Sequence, residues 1–418
     1  MDNGSTPELV GEAGPAHNGH TMSTAIRFSE PRVRAALPGV IQLRRRLHAI
    51  PEIGMDLPET AALVEAALRG LGLAPRRAGS GMWADIGDRG PLVAVRADMD
   101  ALPVLEQTGL EFASRFPGRM HACGHDVHTA CLLGAAGLLA DEAAAGRLPF
   151  RARLVFQAGE EGHFGARTLI EAGVLEGVAA IVGAHVGLLA GELEPGQAGF
   201  MAGPIMAASD RFKGAFIGSG GHGSQPHCTP DPVSAVAEFI LGMNTFRARE
   251  LDQTRPAVIS VCSVHGGETY NVIPERCDFM GTARSIHADL RAILSRRIGE
   301  IAAGIAGLHG LKLEYQWMDG YPPVVNDARA TALAADAARD LLGADRVVAL
   351  TRPTMGAEDF AYYLERVPGC YWFLNTADPA RGNGYPNHNP RFDVDEDLLW
   401  AMVAVNLAAA ERLATAFS

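Results

Sequence analysis

Between Val33 and Ile50 apolar residues recur at helical spacing, with the basic cluster Arg44 to Arg46 on the other face, and the pattern stops at Pro51. It predicts an amphipathic first helix. A second helix is predicted over Pro58 to Leu71, ended by Gly72. Short apolar runs follow, each leading into polar side chains with chemistry. PLVAVRADMDALP (91–103) carries Asp98 and Asp100, RLVFQ (153–157) runs into Glu160 and Glu161, and AAIVGA (179–184) runs into His185. Helical segments are predicted between them, over Ala130 to Ala145 and Ala166 to Glu171. Buried-type strands alternating with helices predict an α/β fold, and in an open α/β sheet the carboxyl ends of the strands are where ligands bind. One such strand end equally fits a solvated terminus or a helix cap; three together are harder to explain that way.

The pattern changes between about Met206 and Trp317. It predicts a strand over Ser209 to Gly218, a glycine and histidine loop GSGGHGSQPH (218–227), a helix over Asp231 to Glu250, strands over Ala257 to Val264 and Arg276 to Arg284, a helix over Ala288 to Ala306 and a strand over Leu311 to Trp317. The order βαββαβ is the ferredoxin-like arrangement, a self-contained small domain inserted into the larger one. The α/β pattern then resumes, with a helix over Ala328 to Leu342, a strand over Val347 to Ala349, the acidic loop MGAEDF (355–360), a strand over Tyr371 to Asn375, the loop NHNPRFD (387–393) and a closing helix from about Glu396. The expected organisation is a catalytic domain of mixed central sheet over 26–205 and 318–418, an inserted domain over 206–317, and a polar, glycine-rich, unstructured tail over 1–25.

The densest chemistry lies in HACGHDVHTA (121–130), with one thiol and three imidazoles. Cys123 and His125 flank a glycine that lets the chain aim both side chains at one point. The stretch lacks the Cys-x-x-Cys of a structural zinc knot and the glutamate of an HExxH helix. Alone, it equally fits a polar loop capping the next helix through Asp126 or Thr129. Joined by Glu161, His185 and His388, it becomes a mixed S, N and O donor set suited to zinc, manganese, cobalt or nickel rather than calcium or magnesium. Five ligands exceed one tetrahedral ion, so two divalent ions sharing a bridging carboxylate or hydroxide are expected, a hydrolytic layout. Of the adjacent pair Glu160 and Glu161, one can then bind metal while the other stays free as a general base.

A length of 418 residues with 48% hydrophobic content fits two domains. The net charge of -12 would repel phosphate backbones, so nucleic acid is not expected as a partner. No apolar run reaches 18 residues, so no membrane partner is expected either. Six cysteines without framework spacing and no recognisable signal peptide point to free thiols in the cytoplasm.

Eight ordered segments, RADMDALPV, MHACGHDVHTA, GEEG, GAHV, GGHGSQPH, NVIPE with GTAR, MGAEDFAYYLE and NHNPRFD, resemble the M20 family of metallopeptidases, most closely its amidohydrolase branch of aminoacylases, hippurate hydrolases and auxin-conjugate hydrolases. The similarity runs from about Leu43 to the last helix. It implies Cys123, His125, Glu161, His185 and His388 as metal ligands and Glu160 as the catalytic base. Asp98 and Asp100 fall where other branches have His-x-Asp; with aspartate at the first position, a supporting role is implied. His222, Asn271 and Arg284 match residues donated across a dimer interface to the substrate carboxylate and the oxyanion, and Gly356 matches a substrate-binding position. The implied protein is a homodimer or higher homo-oligomer, with the inserted domain as lid and dimerisation surface, that hydrolyses N-acyl amino acids. The alternatives are an M20-type dipeptidase or carboxypeptidase, or a non-catalytic metal or small-ligand binding protein on the same scaffold. His163 and Phe164 replace the branch's usual glycine run, and Ala357 stands where serine is common, both near the expected substrate cleft.

Overall fold

Four strands, Leu92–Asp98, Arg151–Gln157, Val178–Val186 and Gly369–Leu374, are buried along almost their whole length, as parallel strands covered on both faces must be. The computed structural model of the chain describes residues 27–417. The tail expected over 1–25 lies outside the described residues. The four strands form the parallel centre of an eight-stranded mixed sheet, in the order Arg151–Gln157, Leu92–Asp98, Val178–Val186, Gly369–Leu374. Gly81–Ile86 and Arg76–Ala78 extend one side; Ala198–Phe200 and Val347–Ala349 extend the other. Val347–Ala349 lies where the sequence places a strand, whereas Arg76–Ala78 and Ala198–Phe200 leave no periodic signal, because three residues are too few to show one.

One sheet face is covered by Glu30–His48, His125–Ala144 and Leu399–Ala416, and the other by Gly165–Glu171 and the short helix Ala361–Leu364. The stretch Glu396–Ala416 is the one helix among the described residues long and apolar enough to cross a membrane. Its most apolar window is 72% buried inside the protein, on Leu92–Asp98 and Val178–Val186, so its hydrophobicity serves the core.

The helix expected from Ala130 begins five residues earlier, at His125, behind Gly124 at φ 90°. Its first turn is polar yet buried, which is why apolar periodicity misses it. Neither Asp126 nor Thr129 caps it: Asp126 accepts from Arg44 Nε at 3.0 Å and Thr129 Oγ1 donates to Asp98 O at 2.7 Å.

The middle of the chain forms a second, four-stranded antiparallel sheet in the order Ala257–His265, Arg276–Ser285, Ala208–Ile217, Lys312–Tyr321. Helices Pro232–Arg249 and Ala288–His309 cover one face through Phe212, Phe239, Phe279 and Leu294. Gly203–Met206 pairs with Val324–Asn326 where the chain leaves the large sheet and returns to it.

Candidate functional site

The parallel strands end side by side, and that edge collects the candidates. Gly124 is required there: a Cβ would lie 2.6 Å from Val186 Cγ2, so only glycine lets Cys123 and His125 approach the end of Val178–Val186. His388 arrives from the other direction with φ 68°, a left-handed conformation uncommon for a non-glycine residue. Its N–H donates to Ala122 O at 2.7 Å, which ties the His388 loop to the Cys123 segment.

The imidazoles have distinct jobs, set by what holds their other nitrogen. His125 Nδ1 donates to Asp100 O at 2.8 Å and leaves Nε2 buried without a hydrogen-bond partner. His185 Nδ1 donates to Val186 O at 2.8 Å and turns Nε2 to Cys123 Sγ, 3.3 Å away. His128 has both nitrogens engaged, one with Asp98 Oδ1 at 2.6 Å and one accepting from Val186 N at 3.0 Å, so it holds the frame. His121 lies beyond the site beside His48, and burial pushes it down to about 3.

Besides Asp98 with His125 and His128, His125 with Glu160 and Glu161, and Glu160 with Glu358 and Asp359, two triads have donor atoms within 4.8 Å of one another: Cys123, His125 and His185, and Cys123, Glu161 and His388. They share the thiol. His388 Nε2 is 3.2 Å from Glu161 Oε1. Burial, then the charges of Glu161 and Glu160, push the Cys123 thiol far up, so its thiolate needs a cation beside it. Burial works against a charged His125, but Asp98 and Asp100 outweigh it and push the ring up to about 10. A buried unpartnered Nε2, a thiol that needs a cation and a carboxylate paired with imidazole fit divalent transition-metal ions, whose ligands must give up their protons.

The adjacent glutamates diverge. Both backbone N–H groups donate to Asp100, at 2.9 Å from Glu160 and 3.0 Å from Glu161. Glu161 turns to His388, whereas Glu160 Oε2 sits 4.0 Å from His125 Nε2. Burial raises both carboxyls, but His388 and His125 bring Glu161 back below its ordinary value. Glu160 has no such relief; burial, Glu358, Glu161 and Asp359 hold it well above. Tyr321 OH donates to Glu160 O, so the last strand of the small sheet grips the loop.

Arg96 is the residue sequence reasoning missed. Fully buried, it donates to Asp98 at 2.6 Å, to Glu358 and Asp359 at 2.9 Å each, and to Gln157 at 2.9 Å. A charge inside the apolar run VAVRAD was the available signal. Glu358, Asp359 and Glu160 also form a cluster of three carboxylates, but Arg96 occupies the first two.

A cleft of about 480 Å³ opens over these groups, lined by Glu160, Glu161, Cys123, His185 and His388 below and by Arg211, Arg284, Tyr321, Phe164 and Gly356 around it. Arg284 thus reaches the cleft of its own chain. His222 and Asn271 do not: they lie exposed on a two-stranded ribbon, His222 opposite Val272, with Gly223 N donating to Asn271 O at 2.8 Å.

Residues 94–412 match the family model described as peptidase family M20/M25/M40. The chain is 39% identical over 377 residues to thermostable carboxypeptidase 1 of Saccharolobus solfataricus, covering 88% of this chain and 93% of that protein. It is 38% identical over 361 residues to the N-acetyl-L-cysteine deacetylase of Bacillus subtilis, covering 85% and 84%. Among solved structures, a dinuclear metal-binding peptidase of the M20 family from Bacillus subtilis superposes with a TM-score of 0.76 at 34% identity, covering 92% of this chain and 99% of that one. With the matched model spanning most of the chain and the site assembled as described, the chain belongs to the M20/M25/M40 peptidase family, in its amidohydrolase branch, as a metal-dependent hydrolase of amide bonds.

Proposed function

We propose that the chain is a dinuclear amidohydrolase that removes the acyl group from N-acyl amino acids, with Glu160 as general base. The observation that carries this is the divergence of the two glutamates: Glu161 pairs with His388 at 3.2 Å and joins its triad with Cys123, while Glu160 lies outside that triad, 4.0 Å from His125 Nε2. Cys123, His125, Glu161, His185 and His388 would hold two divalent ions. When bound, divalent ions polarise the amide carbonyl and acidify water. Glu160 takes the proton from the attacking water and delivers it to the leaving nitrogen. Asp100 and Tyr321 fix the backbone of Glu160, Asp98 orients His128, and Gly356 leaves room at the cleft wall. Arg284, with no carboxylate in contact among the described residues, receives the substrate carboxylate through its planar fork.

In this reading 26–205 with 318–418 is the catalytic domain, and the ferredoxin-like segment 206–317 is lid and dimerisation domain. The six cysteines, all unpaired, suit the reducing cytoplasm. Metal-stripped protein should be inactive and recover on addition of zinc, manganese, cobalt or nickel. In initial-rate assays it should then hydrolyse N-acyl amino acids faster than dipeptides. The carboxypeptidase relative supports the rival reading, and faster dipeptide cleavage would establish it.

That His222 and Asn271 lie exposed and do not line their own cleft supports donation to a second copy, where His222 would stabilise the oxyanion. Glu160→Gln and His222→Ala chains should each be nearly inactive alone. Refolded together they form mixed dimers in which one site is complete, restoring roughly a quarter of wild-type activity if pairing is random. No recovery, with mixed dimers seen by native mass spectrometry, rules the arrangement out.

A further inference from the structure

Two guanidinium groups, Arg211 and Arg284, line the cleft from the same sheet face. Arg284 pairs with Ser209 and Arg211 with Thr282, on the adjoining strands Arg276–Ser285 and Ala208–Ile217. The two arginines are therefore diagonal neighbours, about 7 to 8 Å apart with their Cβ atoms somewhat closer. Like charges so placed repel, yet no carboxylate among the described residues lies within 4.0 Å of either guanidinium. On the same sheet and on helix Ala288–His309, by contrast, Arg276 pairs with Asp278 and Glu314, and Arg291 with Asp210. Asp210, next to Arg211 in sequence, points away from the cleft and is taken by Arg291 and by Gly320 N. Burial lowers the pKa of Arg284, which marks a cation partly stripped of water and without a counterion.

One carboxylate satisfies one guanidinium fork. A monocarboxylate held by Arg284 leaves Arg211 unmatched, whereas a short dicarboxylate matches both. Apart from the two arginines and the imidazoles of His185 and His388, the lining carries no cationic side chain: Leu188, Leu189, Met206 and Phe164 are apolar, and Ser209, Tyr321, Thr354 and Asn387 are uncharged.

We infer that Arg211 and Arg284 together select N-acyl amino acids with an acidic side chain, N-acyl glutamate or aspartate, with Arg284 on the α-carboxylate and Arg211 on the second one. The inference rests on the amidohydrolase reading for its substrate but makes a separate claim about charge. N-acetylglutamate and N-acetylglutamine differ in that charge at nearly equal size. A charge-assisted hydrogen bond changes binding by roughly 10- to 100-fold. In the metal-loaded enzyme, kcat/KM for N-acetylglutamate should exceed that for N-acetylglutamine by at least about tenfold, and R211Q should bring the ratio near one, mainly through KM. R284Q should lower kcat/KM for both compounds.

The same preference should appear without turnover. Calorimetric titration of the metal-loaded Glu160→Gln enzyme should show N-acetylglutamate binding at least about tenfold more tightly than N-acetylglutamine, an advantage lost when R211Q is added. If binding shows that preference while no N-acyl amino acid is hydrolysed by the wild type, the charge assignment stands and the catalytic reading falls. Equal binding of the two compounds, or a preference untouched by R211Q, overturns the inference even where hydrolysis is fast.

Discussion

Glu160→Gln should fold, bind its metals and lose about 10² to 10⁴ in kcat, the contribution of a positioned general base. Glutamine keeps the size of the side chain and one acceptor oxygen, so Asp359 N, 3.4 Å from Glu160 Oε1, retains its neighbour. The backbone clamps from Asp100 and Tyr321 do not depend on the side chain at all. What glutamine cannot do is take a proton from water. Glu161→Gln should behave differently, because its carboxylate is the one facing His388 at 3.2 Å and belongs to the triad with Cys123. That variant should lose bound metal, and its activity should fall with metal content. Elemental analysis beside steady-state rates separates the two cases. Metal lost at Glu160 and kept at Glu161 would mean that the roles are exchanged.

The positions of these candidates were legible because the chemistry sits at the ends of strands. Asp98, Glu160, Glu161 and His185 follow apolar runs that can only be buried, so a polar residue directly after the run must lie at the sheet edge. The βαββαβ order was legible for a related reason, since long strands and helices carry clear periods. What depends on tertiary context was not. The first turn of His125–Ala144 is polar and buried, so hydropathy placed it in a loop. Which imidazole offers a free nitrogen is decided by partners far away in sequence: His125 keeps Nε2 unpartnered while His128, three residues on, has both nitrogens engaged. The cleft position of Arg211 follows from how the small sheet sits over the large one, which no local pattern encodes.

Arg96→Met should destabilise the protein by about 3 to 5 kcal/mol or more, the usual cost of removing one partner from a buried ion pair. Methionine nearly fills the space of the arginine stem, so the loss reports charge rather than a cavity. Asp98, Glu358 and Asp359 would be left facing one another without their cation. Domains of ordinary stability hold about 5 to 15 kcal/mol in total, so the variant should sit close to unfolding. The pH dependence follows from the direction of the shifts. Burial already holds Asp359 above its ordinary value despite Arg96, with Glu358 beside it adding to the rise, and in the variant Asp359 should rise further. Groups raised in the folded state favour folding at low pH and cease to do so as pH rises through their folded values. The penalty should therefore be larger at pH 8 than at pH 5. Urea midpoints of metal-free wild type and variant at both values test this; a loss below about 1 kcal/mol, or one indifferent to pH, would contradict the assignment of Arg96 as the counter-charge of this cluster. If Arg96→Met fails to fold, Arg96→Lys supplies the comparison. It keeps the charge but has one nitrogen where the guanidinium reaches four side chains, so it should show a smaller loss with weaker pH dependence.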